Sequence, residues 1–519
     1  MRFIGEMITL GARYYPDNLA TVFEDIHYTY KELNNRVNQV ANALLNAGIR
    51  KGDRVGILCY NSHFYQEIFY GISKTGGVAT TINWRLAPRE LEFIINDAEV
   101  RILFVADRFW GQIETIRDKL PTVKQYIMIG EPTPGTIHYE KFVGSGSKEE
   151  IRIDLDPHDP FWQLYTSGTT GRPKGVMVTH RNSLADTEHN IIGNRLNRDK
   201  GIWILVLPMF HIALKIMLIG AYVRAGIVFM DKFDPKEICE TIEREKCTDL
   251  TLGPSMWQMF MNCPELDKYD LSSLKYCSYS TAPMPPVTIK RLMEKFPNVV
   301  FFSTYGLTEA CSTLTILPND QHVLDGPEHL RKRLTSLGRP IDGVDLRIVD
   351  ENGKDCPVGV IGEIIGLGDN IMKGYWRMPE ETQKTLKDGW LYTGDMGYWD
   401  EYGYIYMADR KKDMIISGGE NIYPKEVEDV IREVKGVIDV AVIGVPDEKW
   451  GEAVTAIVTK DPNSSVTGEN IIQYCAQNIA GYKKPKNVEF VSEFPRNPVG
   501  KILKKVLREK YWQGRDRKI

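Results

Sequence analysis

Short apolar strands alternate with amphipathic helices through roughly the first 300 residues of the chain. The first of these helices is predicted to begin after Thr29, because apolar residues then follow with 4-3-4 spacing at 33, 37, 40 and 44. Strands are predicted at 54–60 and 100–105, with a helix near 64–75 between them. Such repeats favour parallel sheets with helical cover. The chain is therefore predicted to contain a large doubly wound α/β region.

The texture changes near Gly338, where short apolar runs separated by turns begin. Turns such as Glu351-Asn352-Gly353 indicate antiparallel β structure. After residue 410 a compact α+β unit is predicted, with strands at 437–445, 453–459 and 488–491. We therefore divide the chain into an N-terminal domain, 1–410, with an antiparallel β subdomain at about 338–410, and a C-terminal domain, 411–519.

Composition excludes several classes of protein. The chain has 519 residues, a formal net charge of −4 and 43% hydrophobic residues, which is typical of a soluble globular enzyme and makes nucleic acid a poor partner. The eight cysteines are scattered without a C-x-x-C pair, as in a reduced cytosolic protein. The most apolar stretch, 202–230, is interrupted by Pro208, His211, Lys215 and Arg224, which favours buried structure over a membrane span. Peripheral membrane contact stays open.

The segment Tyr165–Gly175, Y-T-S-G-T-T-G-R-P-K-G, has the composition of a phosphate-binding loop. Its glycines let the backbone approach a ligand closely, so that successive N–H groups can point at one anion. Lys174 adds a positive charge, and four side chains add hydroxyl donors: Thr166, Ser167, Thr169 and Thr170. An ordinary surface turn is the alternative, since the same residue types dominate turns. The Walker A pattern does not fit Gly168–Gly175, so a P-loop ATPase or kinase is disfavoured.

Two further segments follow predicted strands or turns. Thr304–Glu309, T-Y-G-L-T-E, comes directly after a strand, where open α/β sheets hold ligands. Glu309 there could bind Mg²⁺ between phosphates, or Thr308 and Glu309 could simply begin a helix. In Gly389–Asp395, Asp395 could accept hydrogen bonds from ribose hydroxyls, with Arg410 holding the ribose or a phosphate. The alternative is that Asp395 and Arg410 simply belong to a surface turn and a charged strand end.

Two last segments are Ser417–Pro424, S-G-G-E-N-I-Y-P, and Pro495–Lys501, P-R-N-P-V-G-K. A lysine beside a turn is usually exposed, so nothing in isolation singles out Lys501. Taken in order, however, the five segments resemble the adenylate-forming enzymes: acyl-CoA synthetases, aryl-CoA ligases, firefly luciferase and peptide-synthetase adenylation domains. The texture of 413–421 and 446–452 is similar to that of bacterial fatty-acyl-CoA synthetases.

The resemblance implies a fold and a reaction. The fold is α/β, with a large N-terminal domain of doubly wound sheets plus a β-barrel-like subdomain, and a small mobile α+β C-terminal domain. The reaction is an ATP-dependent carboxylic acid:CoA ligation. A carboxylate attacks the α-phosphate of ATP, giving acyl-AMP and pyrophosphate, and the thiol of coenzyme A then displaces AMP. Mg²⁺ and lysine charge would stabilise the negative charge that develops at phosphorus.

Residue roles are carried over from the family's motifs. Lys501 would lie at the α-phosphate and carboxylate, Glu309 and Thr166 would bind Mg²⁺, and the 166–174 loop, with Gly168 and Gly171, would hold the β- and γ-phosphates. Lys412 would be the hinge that brings the channel loop for coenzyme A to the site: Gly418, Gly419 and Glu420. The remaining nucleotide contacts would come from Ser280, Ala282, Pro283, Tyr305 on adenine, Gly306, Thr308 near the α-phosphate, and Asp395 and Arg410 on the ribose.

The resemblance places the acid pocket near 208–211, 254–256 and 280–283. His211 matches a position that borders the substrate carboxylate, with a packing role as its alternative. Where many fatty-acyl relatives carry Gly-Gly-Ala-Pro, this chain has Ser280-Thr281-Ala282-Pro283, which narrows the space or offers a hydrogen bond. The acid stays open among medium-chain, branched, alicyclic, aromatic and fatty acids.

Three other functions share this fold. An adenylation enzyme would pass its acyl group to a carrier protein, a luciferase-type oxygenase would use oxygen, and a silent relative would only bind nucleotide. The presence of Lys174, Glu309, Asp395 and Lys501 argues against the silent relative. A homodimer stays open as well.

Overall fold

A computed structural model describes the chain except for residues 167–172, 195–200, 281–283, 411–412, 418–419, 448–449, 480, 497–500 and 514–519, and it describes only the backbone of 409, 410, 420 and 421. The chain divides into two compact units. One contains Met1–Leu346 and Gly366–Leu391, and the other contains Arg347–Ile365 and Tyr392–Ile519. Among the described residues, no helix combines the length and the apolar character needed to cross a membrane.

The helices are α1 (Glu6–Tyr14), α2 (Tyr30–Asn46), α3 (His63–Thr75), α4 (Pro88–Asp97), α5 (Trp110–Glu114), α6 (Tyr139–Gly144), α7 (His180–Gly193), α8 (Lys215–Val223), α9 (Pro235–Glu245), α10 (Pro254–Met261), α11 (Pro286–Lys295), α12 (Glu328–Lys332), α13 (Pro379–Thr385), α14 (Pro424–Arg432), α15 (Gly468–Asn478) and α16 (Lys504–Glu509).

The strands are β1 (Leu19–Phe23), β2 (Ile26–Thr29), β3 (Arg54–Leu58), β4 (Val78–Thr81), β5 (Val100–Ala106), β6 (Gln125–Ile129), β7 (Ile137–His138), β8 (Pro160–Thr166), β9 (Lys174–Thr179), β10 (Ile202–Leu205), β11 (Gly226–Phe229), β12 (Asp249–Leu252), β13 (Tyr276–Tyr279), β14 (Val300–Tyr305), β15 (Thr315–Leu317), β16 (Arg339–Pro340), β17 (Val344–Val349), β18 (Gly362–Gly368), β19 (Gly374–Tyr375), β20 (Leu386–Lys387), β21 (Trp390–Trp399), β22 (Ile405–Arg410), β23 (Ile415–Ser417), β24 (Glu420–Ile422), β25 (Val437–Asp447), β26 (Gly451–Lys460) and β27 (Asn487–Phe490).

The first predicted helix illustrates how local signals set the elements. Helix α2 begins at Tyr30 because Thr29 and Glu32 form a capping box: Thr29 Oγ1 accepts from the backbone N–H of Glu32 at 3.2 Å, and Glu32 Oε2 accepts from that of Thr29 at 2.8 Å. The apolar residues of the 4-3-4 pattern, Leu33, Val37, Val40 and Leu44, are all buried. The predicted helix and its inward face are confirmed.

The strands of the first unit form two large sheets rather than one continuous doubly wound region. One has nine strands in the order β16-β15-β14-β13-β12-β10-β11-β1-β2, and the other has eight in the order β19-β9-β8-β4-β3-β5-β6-β7. In both sheets the central strands pair in parallel, as the alternating sequence predicts. The alternation does not predict which sheet a strand joins, because that depends on long-range pairing. The predicted fold class is confirmed.

The two remaining sheets are mainly antiparallel. Antiparallel structure is predicted for about 338–410, and a compact α+β unit for 411–519. One has the order β17-β18-β21-β20 with β22 paired to β21. The other, in the second unit, has the order β24-β23-β26-β25 with β27 in parallel on β26. Helices α14 and α15 contribute Val427, Ile431 and Ile471 to the buried core of this sheet. Because residues 411–412 lie outside the described residues, the predicted division at 410 and the hinge at Lys412 stay predictions.

Candidate active site

The antiparallel hairpin of β8 and β9 holds the two ends of the predicted phosphate loop. Thr166, the last residue of β8, pairs with Lys174, the first residue of β9. The hairpin is anchored below the loop, where Tyr165 Oη donates to Asp97 Oδ2 at 2.6 Å. The loop residues Ser167, Gly168, Thr169, Thr170 and Gly171 lie outside the described residues, so their roles stay predictions.

Lys174 is buried and has a carboxylate partner. Its Nζ donates to Glu381 Oε2 at 2.6 Å and lies 5.0 Å from the centre of the Tyr375 ring. A buried ammonium needs such a partner, because removing it from water without compensation costs several kcal/mol. The hydrogen bond from Lys174, together with one from Lys384, lowers the pKa of Glu381 to about 2. Lys174 is therefore placed beside an ionised carboxylate.

Tyr375 connects Lys174 to Glu309. The Tyr375 Oη donates to Glu309 Oε1 at 2.9 Å, and the backbone N–H of Met372 donates to the Glu309 carbonyl at 2.8 Å. Burial, and then the Glu309 charge, raises the pKa of Tyr375, so its hydroxyl stays a donor. The structure thus brings together two predicted site residues that are far apart in the sequence. We call Lys174, Glu309, Tyr375 and Glu381 the Lys174 cluster.

Strand β19 positions Tyr375. It pairs antiparallel with β9, so that Gly374 lies opposite Met177 and Tyr375 opposite Val176. Gly374 has φ +141°, and a Cβ there would lie 2.8 Å from Thr382 Cγ2, so a side chain is excluded on both counts. Tyr375 and Glu381 are functional candidates that the sequence reasoning missed. Only tertiary contacts reveal them: the pairing of β19 with β9 positions Tyr375, and the hydrogen bond from Lys174 Nζ identifies Glu381 on α13.

The turn after β14 carries the predicted nucleotide residues. Tyr305 ends the strand, and a Cβ on Gly306 would lie 1.9 Å from the Ser312 carbonyl oxygen, so the turn closes tightly only with glycine there. Thr308 is buried and begins a single 3₁₀ turn that ends at Ala310. The alternative prediction, that Thr308 and Glu309 begin a helix, therefore holds only for this short turn. The turn directs Glu309 toward Tyr375.

The donor chemistry of this region fits Mg²⁺. Mg²⁺ is usually bound by one or two carboxylates together with substrate phosphate oxygens and water. Glu309 offers one carboxylate, and Thr166 offers a hydroxyl at the end of β8. Among the described residues, no group of three or more His, Cys, Asp or Glu side chains is arranged to hold a metal alone. The ion would thus depend on phosphate oxygens for its remaining ligands.

The predicted acid pocket lies at the carboxyl ends of β10 and β13. The segment before His211 is held by Asn61, whose Nδ2 donates to the Leu207 carbonyl at 2.9 Å and whose Oδ1 accepts from the Met209 N–H at 2.9 Å. Among the described residues, His211 Nδ1 is a buried nitrogen without a hydrogen-bond partner. Burial lowers the pKa of His211 to about 4, so the ring is neutral at pH 7. Ser280 is half-buried after β13.

Several predicted residues near this pocket lie outside the described residues. These are Thr281, Ala282 and Pro283. Their predicted contacts with nucleotide and acid stay predictions.

Asp395 lies in the second unit, on β21. It is buried, and its Cα partner across the strand pair is Arg410 on β22. The backbone N–H of Asp395 donates to Thr393 Oγ1 at 3.1 Å, and the preceding Gly394 has φ +71°. The structure thus places the two predicted ribose residues side by side along the backbone. The Arg410 side chain lies outside the described residues.

The C-terminal candidates are only partly described. Lys501 is exposed and lies next to the antiparallel bridge between Arg496 and Ile502. The backbone of Glu420 pairs with Ser417. The hinge and channel residues Lys412, Gly418 and Gly419 lie outside the described residues, as does the Glu420 side chain.

Comparison with known proteins gives the family. Residues 9–376 match the model of the AMP-binding enzymes, and residues 426–501 match the AMP-binding enzyme C-terminal domain. The chain is 38% identical to the long-chain-fatty-acid–CoA ligase FadD13 of Mycobacterium tuberculosis, over 98% of this chain and 99% of that one. It is 33% identical to the fatty acid–[acyl-carrier-protein] ligase ScoC of Streptomyces coeruleorubidus, over 98% of this chain and 96% of that one.

A solved structure supports the same grouping. The anthranilate CoA ligase AuaEII in complex with anthranoyl-AMP superimposes with a TM-score of 0.88 at 27% identity, over 98% of this chain and 97% of that one. The sequence matches span nearly the whole chain, and the fold agrees with the predicted adenylate-forming resemblance. The chain belongs to the AMP-binding enzyme family.

Proposed function

We propose that this chain is an ATP-dependent carboxylic acid:CoA ligase that forms AMP. The Lys174 cluster is the observation that supports this best, since it places a buried cation and a magnesium-type carboxylate on either side of one tyrosine. The relative FadD13, a long-chain-fatty-acid–CoA ligase, belongs to the same class of enzyme. The substrates would be ATP, with Mg²⁺, coenzyme A and a hydrophobic carboxylic acid.

The first half-reaction joins two anions, and the charges of the site make this feasible. The acid's carboxylate oxygen attacks the α-phosphorus, and the bond to the bridging oxygen of pyrophosphate breaks. Lys174 would hold the β- and γ-phosphates in exchange for Glu381, and Glu309 would bind the Mg²⁺ that neutralises the leaving group. Tyr305 would stack on adenine, Thr308 would lie near the α-phosphate, and the strand pair of Asp395 and Arg410 would bind the ribose.

In the second half-reaction the thiol of coenzyme A attacks the acyl carbon and AMP leaves. We assign Lys501 to the first step only, and the loop of Gly418, Gly419 and Glu420 to the second, with rotation at Lys412 exchanging them. His211, neutral at pH 7, would border the acid's carboxylate without adding charge. Because all eight cysteines are free thiols, we place the reaction in a reducing compartment such as the cytoplasm.

The test is product analysis. Purified protein with ATP, Mg²⁺ and a panel of acids graded in length and ring content should release pyrophosphate, and added coenzyme A should yield thioester and AMP in equal amounts. Formation of ADP would contradict the mechanism. The relative ScoC makes carrier-protein transfer the second candidate, so the panel is repeated with a holo-acyl-carrier protein in place of coenzyme A. Faster acyl transfer to the carrier would favour that candidate.

A further inference from the structure

A cavity of about 50 Å³ lies inside the first unit, between the nine-stranded sheet and helices α7 and α8. It has room for about four water molecules, which suits a short chain or one ring. Its walls combine apolar side chains with several polar and charged ones. The sheet contributes Asp249, Thr251 and Ser278, and the helices contribute Asn190 and Lys215.

The cavity extends along the strands from the candidate active site. Ser280 and Thr304 line it at the carboxyl ends of β13 and β14, directly beside the predicted nucleotide residues. Tyr276 and Asp249 line it at the opposite ends, where they face each other in register. The four steps along the chain from Tyr276 to Ser280 span about 13 Å. A substrate held at the active site could therefore extend its tail toward Asp249.

Lys215 is the one lysine among the residues that line this cavity. It begins α8, and its Nζ donates to Thr313 Oγ1 at 2.9 Å. Among the described residues this is its single hydrogen-bond acceptor, although an ammonium carries three N–H donors. Asp186 supplies a countercharge from further away, and its Oδ1 accepts from the Thr313 N–H at 3.1 Å. Lys215 thus has donors to spare at the cavity wall.

The charges around the cavity decide what Lys215 can bind. Burial raises the pKa of both Asp186 and Asp249 to about 7, so that each carboxyl is partly ionised near neutral pH and the two together roughly balance the charge of Lys215. A second carboxylate on the substrate would add negative charge next to Asp249, which is unfavourable in a buried site. A neutral carbonyl oxygen accepts a hydrogen bond without adding charge.

We propose that this cavity takes the tail of the acid substrate and that Lys215 donates a hydrogen bond to a neutral carbonyl oxygen in that tail. The substrate would be a short oxo acid or an oxo-substituted alicyclic acid. This proposal rests on the proposed function, whose acid pocket it extends and specifies.

The test compares acids matched in size. The probes are 4-oxocyclohexanecarboxylate, 4-methylidenecyclohexanecarboxylate, in which carbon replaces the oxygen, and cyclohexane-1,4-dicarboxylate. We expect kcat/KM for pyrophosphate release to favour the oxo acid over the methylidene acid by about 10-fold or more, the value of a hydrogen bond to a charged group. Lys215→Met should bring this ratio close to one, mainly through KM. Ile219→Val, also on the cavity wall, should leave the ratio unchanged.

Loss of Lys215 leaves Asp186 without its countercharge, so folding needs its own control. The double variant Asp186→Asn/Lys215→Met removes both charges and should show the same ratio as the single variant with near-wild-type thermal unfolding. A wild-type ratio near one, a ratio that Lys215→Met does not change, or a preference for the dicarboxylate would each overturn the proposal.

Binding without turnover separates this proposal from the proposed function. Trp203 lines the cavity, so the oxo acid should quench its fluorescence in the wild type, less so in Lys215→Met, and not in Trp203→Phe. Quenching by the oxo acid without pyrophosphate release would refute the proposed reaction but leave the cavity assignment standing. Pyrophosphate release without discrimination between the acids would refute the cavity assignment but leave the proposed reaction standing.

Discussion

Two buried lysines of the first unit lie in contrasting surroundings. Lys174 donates to the ionised carboxylate of Glu381 at 2.6 Å, whereas Lys215 donates to a neutral hydroxyl, that of Thr313, at 2.9 Å. Lys174 lies at the end of a hairpin beside a loop, and Lys215 begins a helix that covers a sheet. Lys174 can exchange the Glu381 carboxylate for another anion, and Lys215 can donate a hydrogen bond to a neutral oxygen atom. The comparison separates binding of ATP from choice of the acid.

The largest effect is expected from Glu309→Gln. It should lower kcat for pyrophosphate release about 100- to 1000-fold with every acid, because charge stabilisation at the transferring phosphate is lost. Steady-state pyrophosphate assays across the acid panel check this, with Glu328→Gln, at an exposed glutamate, as the control. A loss confined to some acids would mean that Glu309 contributes to acid choice, and the separation of the two regions would fail.

Lys501→Ala should slow adenylation about 100-fold while leaving thioester formation from supplied acyl-AMP within about threefold. The reason is that Lys501 acts at the α-phosphate only in the first half-reaction. Single-turnover assays of each step measure the two rates, with Lys505→Ala as the control at a neighbouring exposed lysine. Equal losses in both steps would contradict the separate roles.

A smaller effect is expected at the partner of Lys174. Glu381→Gln removes the carboxylate that competes with phosphate for Lys174 and should lower KM for ATP about two- to fivefold, the value of a partly exposed ion pair. Because the pKa of Glu381 is about 2, the effect should be constant from pH 6 to 8. Initial rates at varied ATP test this, and Glu380→Gln is the matched control. A raised KM would show that Glu381 helps to position Lys174.

The smallest effect concerns pH and stability. Burial lowers the pKa of His211 to about 4, below its usual value near 6.5. Between these two pH values the ring is protonated in the unfolded chain but neutral in the folded chain. The contribution of the neutral His211 ring to the free energy of unfolding is complete above pH 6.5. It is lost as the pH falls toward 4, by on the order of 1 kcal/mol per pH unit. Thermal unfolding from pH 7 to 4.5 should show a shallower decline in His211→Asn. An unchanged slope would indicate that His211 is solvated.

Local chemistry made much of the fold predictable. The capping box at Thr29 and the apolar spacing after it defined α2, and the change to turn-separated runs after 338 marked the antiparallel sheets. Which strands share a sheet was not predictable. Strand β1, for example, pairs in parallel with β11, whereas β3 belongs to the other large sheet. Backbone pairing of that kind depends on residues far apart in the chain.

The site was predictable to the same extent. Lys174, Glu309 and Asp395 were selected as candidates because loops that bind phosphate or ribose need particular residue types at short spacing, and their roles stay predictions. Tyr375 and Glu381 were missed because each is an ordinary residue in its own segment. The pairing of β19 with β9 brings Tyr375 to Lys174, and α13, which follows β19, brings Glu381.

By itself the sequence determined the α/β class, the order of the motifs and the reaction they indicate, because these depend on residue types within a few positions of each other. Tertiary structure alone decided which carboxylate neutralises Lys174, and it alone showed that Lys215 lines a cavity with donors available. Burial and charge pairing are set by whichever segments fold against a side chain, and the hydrogen-bond acceptors of these two lysines, Glu381 and Thr313, lie more than 90 residues away along the chain.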